Sequence, residues 1–342
     1  MNRTQDLLLN RELYGGQLNQ NYITRWNERK ITEETERKAS ALWIQASGNI
    51  LACISSLRRL KIYDFQKHFA LVYFSPYDIQ VFKAWFTGRT LYFIAGKENC
   101  YKIYKFSLDK NILKPEVLFD NIKNIEDTDV IQDCVVIQND DEYEIFDLRN
   151  STKNKIKGKG TSRYCKGFIL CWDQNNFIEI IKISTQTFYK INSFTEIIEN
   201  IIFLDIVQDT LLIFLETFKL ITYNIMTKDI KDFYLNNPSQ YFEIESSGES
   251  VMQLENNSLI LFTPFPVFIN TNQEIVMISD NGPNIFVLCE DRVLVISKSN
   301  YEVCIVEIKE NCYAIGCNEI ADEFYVANDM GMWGYEQSIV FE

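Results

Sequence analysis

The stretch Val135–Leu148, VVIQNDDEYEIFDL, sets an apolar run (Val135, Val136, Ile137) before a polar knot (Gln138, Asn139, Asp140, Asp141). A second run follows, with Tyr143, Ile145 and Phe146 apolar. Asn and Asp tolerate the positive φ of tight turns, and β-forming residues flank them, so the stretch reads as a β-hairpin. Its ending is an apolar–any–apolar pair, a large apolar residue and then a mostly polar one. That ending recurs at Leu60–Asp64, Tyr101–Lys105, Tyr143–Asp147, Ile178–Lys182, Leu220–Asn224, Leu259–Thr263, Val293–Ser297 and Met332–Glu336. Successive copies start 41, 42, 35, 42, 39, 34 and 39 residues apart. A period near 40 is the length of one four-stranded propeller blade. The segments are short, aromatic and β-branched with period-two alternation, which argues for strands over helical repeats.

A second apolar run precedes each marker across a polar turn, as in Leu51–Ile54, Leu91–Ala95, Phe168–Trp172, Leu211–Leu215, Val251–Leu254, Ile285–Cys289 and Phe324–Ala327. These pairs read as the two middle strands of each blade, buried on both faces between neighbours. Ile201–Val207 and Glu274–Ser279 are the clearest inner strands; Phe69–Phe74, Thr187–Asn192 and Tyr301–Ile308 read as outer ones. The expected fold is all-β, a single β-propeller over residues 41–342. Eight blades are favoured, with seven as the alternative. Ring closure falls either to Ser338–Phe341 or to a strand from the N-terminal segment.

Residues 1–40 read as a separate N-terminal extension. Ile23–Gln45 is dense in Glu, Arg and Lys and has no Gly or Pro, which predicts a short exposed helix. Two uses suit it: a solvated lead-in, or a docking arm carried by Arg25, Trp26 and Arg29.

The net charge of −13 and a pI near 4.8 repel phosphate backbones and disfavour nucleic-acid binding, unless a local basic patch overrides the field. With 24 Phe, 18 Tyr and 5 Trp there is material for a large core. Glycine (13) and proline (6) are sparse, so Asn and Asp must carry much of the turn chemistry. Nine cysteines, with no C-x-x-C pair, point to a reducing compartment. The three leucines near the N-terminus are too few for a signal core, and Ile201–Ile225 is broken by charges, so no transmembrane segment is expected. Together these suggest an intracellular protein, cytoplasmic or nuclear.

Catalytic and metal signatures are weak. His68 is the single histidine, and it lacks a visible Ser or Cys companion. Cys312 and Cys317 lack a second ligand pair for zinc. The acidic run Glu126–Glu144 has no turn glycine for calcium. No cofactor is expected. The most unusual charge is a basic island of Lys153, Lys155, Lys157, Lys159, Arg163 and Lys166. It reads either as protection of an exposed edge strand or as a contact for RNA, a lipid head group or an acidic partner.

The marker resembles the end of the third strand in the WD-repeat β-propeller family, with Tyr63-Asp64 and Phe146-Asp147 nearest to its Trp-Asp. The family's Gly-His dipeptide is missing. The resemblance, to a divergent member, implies a rigid, non-catalytic platform within a multi-protein assembly, ribonucleoprotein assemblies included. The alternatives are a hydrolase-type propeller enzyme with an axial pocket, or a binder of an anionic ligand through the basic loop.

Overall fold

The computed structural model describes residues 22–32, 41–67, 70–76, 78–97, 100–108, 114–123, 125, 127–131, 134–139, 142–158, 160–165, 167–173, 177–183, 187–191, 200–207, 209–235, 238–244, 249–254, 258–262, 266–271, 273–280, 283–318, 323–329 and 331–341. Among them the chain is all-β. A single 3-10 turn at Phe65–Lys67 is the only helical element among the described residues.

The strands form eight antiparallel four-stranded sheets. The first comprises Ala41–Ser47, Ile50–Ser55, Leu60–Asp64 and Ala70–Phe74; the second, Gln80–Thr87, Thr90–Lys97, Cys100–Ser107 and Glu116–Ile122. The third comprises Asp127–Ile131, Cys134–Asn139, Glu142–Asp147 and Thr152–Lys157; the fourth, Thr161–Cys165, Phe168–Trp172, Ile178–Lys182 and Thr187–Ile191. The fifth comprises Ile201–Val207, Thr210–Leu215, Lys219–Asn224 and Ile230–Tyr234; the sixth, Pro238–Ile244, Glu249–Leu254, Ser258–Phe262 and Pro266–Asn270. The seventh comprises Met277–Asp280, Asn284–Leu288, Arg292–Ser297 and Val303–Glu307. In each of these seven, strand order follows the chain. The eighth takes Ala314–Cys317, Glu323–Asn328 and Gly331–Phe341 from the C-terminus and its outer strand, Tyr22–Thr32, from the N-terminus.

The hairpin of the third sheet shows why the sequence folds this way. Val135 lies opposite Phe146, Val136 opposite Ile145 and Gln138 opposite Tyr143; Asp140 and Asp141 lie outside the described residues. Side chains alternate across a strand, so neighbouring residues face different sheets. Val135, Ile137 and Phe146 pack with Trp85, Tyr92 and Ile94 of the second sheet, while Val136, Tyr143 and Ile145 pack with Tyr164, Ile169 and Ile181 of the fourth. Strands covered on both faces need near-continuous apolar runs.

Every core cluster joins two consecutive sheets in this way, the first to the second through to the seventh to the eighth. One further cluster joins the eighth sheet (Ala314, Tyr325, Met332) to the first (Ile44, Ala46, Leu51). At that junction a Cβ on Gly316 would lie 1.9 Å from the Ile44 carbonyl oxygen, so the two inner strands meet at a distance only glycine permits. The Asn318 side-chain amide donates to the Gly48 carbonyl at 3.0 Å beside it.

No helix forms in the described part of Ile23–Gln45; residues 33–40 lie outside the described residues. Tyr22–Thr32 is a strand, antiparallel to Gly331–Phe341 from Tyr22 opposite Phe341 to Thr32 opposite Met332, and Ala41–Gln45 belongs to the first sheet. Helix propensities differ by only about 0.7 kcal/mol per residue among ordinary residues, and a ladder of ten cross-strand pairs, with Ile31 buried at its one register shift, outweighs them. Of the two expected sources of the last outer strand, the N-terminal segment supplies it, paired with Gly331–Phe341.

Where the marker closes on Asp147 or Asn224, that side chain caps a turn. Asp147 accepts the backbone N–H of Arg149 (2.9 Å) and of Asn150 (3.0 Å). Asn224 accepts those of Met226 (3.0 Å) and Thr227 (2.8 Å) at the matching turn of the fifth sheet. An Asx side chain of either charge satisfies this geometry, so the acidic form is dispensable.

Candidate functional site

The basic island divides between two elements. Lys153, Lys155 and Lys157 lie on the outer strand of the third sheet, whereas Arg163 sits half-buried on the inner strand of the fourth. Lys159 and Lys166 lie outside the described residues. Register places Glu144 opposite Lys155. The Lys155 ammonium reaches Glu142 at 2.6 Å and Glu144 at 3.2 Å, and Lys153 reaches Glu144 at 3.0 Å while lying 4.9 Å from the centre of the Phe146 ring. Burial pushes the Glu144 carboxyl up, but hydrogen bonds from Lys153 and Lys155 more than offset this and hold it below the usual carboxylate range. Two of the lysines are therefore partly neutralised within their own sheet.

The N-terminal residues are also engaged within the chain. The Trp26 ring packs against Phe324 at 5.1 Å between centroids, and Arg29 pairs with Glu323 at 3.5 Å and stands 5.6 Å from the Phe65 ring centre. Arg25 holds a strand position opposite Ser338. The expected arm thus lies along the eighth sheet, and Arg29 reaches the first.

A third surface escaped the sequence reading. Two turns between second and third strands share a backbone form. In the first sheet the Arg58 N–H donates to Ser55 O at 2.8 Å with φ +57°, and in the fifth the Phe218 N–H donates to Leu215 O at 3.0 Å with φ +60°. Left-handed backbone costs a non-glycine residue about 1–2 kcal/mol. Arg58 recovers part of this, since its guanidinium donates to the Phe82 carbonyl and lies over the Phe82 ring. The Phe218 ring is 48% exposed. At the same end of the sheet are exposed Ile202 and Tyr234, the latter 74% exposed, with the Lys219 ammonium 5.7 Å from its ring centre. No sequence signal marks this place, because Phe218 stands where Gly or Asn would be expected.

Neither a cluster of three or more potential metal-binding side chains nor a helix long and apolar enough to cross a membrane occurs among the described residues. None of the nine cysteines forms a disulfide. Burial pushes the thiols of Cys289 and Cys312 up to about 11 and about 12, which keeps them in the unreactive protonated form at neutral pH. His68 lies outside the described residues.

No family model matches the sequence, and no curated protein matches it. Solved structures similar to it include the computationally designed protein Ika8, with a TM-score of 0.55 and 10% identity over 90% of this chain and 99% of that one. PorZ, a surface component of the type-IX secretion system of Porphyromonas gingivalis, aligns with a TM-score of 0.48 and 9% identity over 90% of this chain and 37% of that one. The likeness to Ika8 is one of fold: an all-β chain of repeated sheets.

Proposed function

We propose that the eight sheets are the blades of one propeller and that the chain is a non-catalytic scaffold within a multi-protein assembly. The cyclic order of core clusters supports the propeller, because the last sheet packs on the first. Kinship with WD-repeat propellers is part of the proposal, supported by the capping role of Asp147 and Asn224.

The scaffold reading rests on Phe218. The Phe218 ring is half-exposed on a backbone of positive φ, and such strain is retained where it serves contact. Phe218→Asn relieves the strain and is expected to raise folding stability by about 1 kcal/mol while releasing partner subunits from the native complex. The measurement is a denaturant titration paired with native isolation of tagged wild-type and variant proteins. An unchanged set of partners, or a monomer that turns over a small molecule, would defeat the reading.

A further inference from the structure

Among the described residues each of the eight sheets ends in an outer strand with no further strand beside it, and such edges invite pairing with other chains unless they are blunted. The first and second sheets carry register shifts at their outer ladders. The third carries Lys153, Lys155 and Lys157, and the fourth Lys190. The fifth carries Lys231 and Asp232, the latter paired with Lys219 at 2.9 Å. The sixth begins its outer strand with Pro266, which has no N–H to donate. The eighth has Tyr22–Thr32 as its outer strand, and the ladder of that strand shifts register between Lys30 and Thr32.

The seventh has none of these devices. Its outer ladder runs without a shift from Arg292 opposite Glu307 to Ile296 opposite Val303. Between Glu302 and Glu307 no residue is charged. Val303 (40%) and Ile305 (57%) are exposed, as is Cys304. The hydrogen-bond phase follows from the ends of the ladder: Ser297 N donates to Glu302 O, and Ile308 N donates to Asp291 O. Residues 302, 304, 306 and 308 therefore bond inward, and Val303, Ile305 and Glu307 direct their N–H and C=O groups outward. The free backbone groups belong to the residues whose side chains are exposed.

We infer that this edge receives a fifth strand, an extended segment of a partner protein with apolar residues in alternate positions and basic residues at its ends. Backbone pairing supplies the attachment, and Val303 and Ile305 supply an apolar face. The basic ends follow from charge. Exposed Glu302 and Glu307 bracket the strand; at the Glu307 end Arg292 pairs with Asp291 and Lys309 with Glu28, and exposed Glu290 and Glu310 keep that end acidic on balance. This deepens the scaffold reading, on which it rests, but through a surface separate from Phe218.

The probe is a fluorescein-labelled heptapeptide alternating threonine with valine or isoleucine between terminal lysines, titrated by anisotropy against the full chain. Saturable binding is expected, with protection of the Val303, Ile305 and Glu307 amides from hydrogen exchange. Ile305→Lys should weaken binding by about tenfold or more, because an edge lysine blocks an incoming strand. A peptide N-methylated at alternate residues should not bind, and Glu302→Gln with Glu307→Gln should weaken binding and flatten its salt dependence. Because the exchange footprint is read on wild-type protein, it decides the matter even if a variant misfolds. The proposal fails if the peptide does not bind, or if Ile305→Lys leaves binding unchanged. It also fails if sedimentation shows the edge already occupied by a second copy of this chain, released by Ile305→Lys. Loss of partners on Phe218→Asn with peptide binding intact separates the two surfaces.

Discussion

Thr152–Lys157 and Val303–Glu307 hold the same place in the third and seventh sheets, outermost against a third strand buried between neighbours. In the third sheet the outer strand puts Lys153 and Lys155 onto Glu144, and Lys153 over Phe146. In the seventh, Val303 and Ile305 meet solvent with no charge between the flanking glutamates. Burial dictates the inner layers of both sheets, so they agree. The outer layer is free of that demand, and there the sequence distinguishes an edge closed to other chains from one left open.

If the cores beneath the two edges are equivalent, Ile145→Ala in the third sheet and Ile296→Ala in the seventh should cost alike. Both side chains are almost fully buried, and truncation of a buried isoleucine costs about 2–5 kcal/mol. Chemical denaturation measures the loss. A cost below about 0.5 kcal/mol at either site would place it at the surface and break the comparison at its root.

Removing the guard sharpens the contrast. Lys153→Ala with Lys155→Ala should lower stability at neutral pH by a small, salt-sensitive amount and should give a concentration-dependent association stronger than that of the wild type. Acid titration tests the same pair by sign. In the wild type the folded pKa of Glu144 lies below its ordinary 4.5. Its contribution is therefore present above that value and fades as pH falls through the folded pKa. Without the lysines only burial remains, which raises the pKa, so the variant should gain relative stability on acidification through the same window. Parallel stability–pH curves for the two proteins would show that the ion pairs do not govern Glu144.

Much of this fold was legible because burial on both faces leaves a dense apolar signature. Tyr143, Ile145 and Phe146 face two different sheets and are all required to be apolar. The Lys153–Lys157 alternation was readable as an edge, but its partner Glu144 needed the strand register. Tyr22–Thr32 was misread because its ladder lies some three hundred positions away in sequence, and local propensity carries no trace of so distant a partner. Phe218 was invisible for a different reason. Its turn uses a left-handed backbone without the Gly or Asn that usually announces one.

The smallest expected effect bears most directly on the open edge. Ile305→Lys replaces an exposed isoleucine on a strand whose inward hydrogen bonds are made by its neighbours Cys304 and Val306. No buried contact is lost, and the lysine stem can cover the apolar surface that isoleucine covered. Thermal or denaturant unfolding should therefore place the variant within about 0.5 kcal/mol of wild type. A loss of several kcal/mol would mean that Ile305 is held by packing, making the seventh edge part of the core. A negligible loss means that an apolar residue is kept at an edge where lysine would serve folding equally well, and where the third sheet does use lysine. Stability then offers no reason for the isoleucine, and the reason has to lie with what the edge meets.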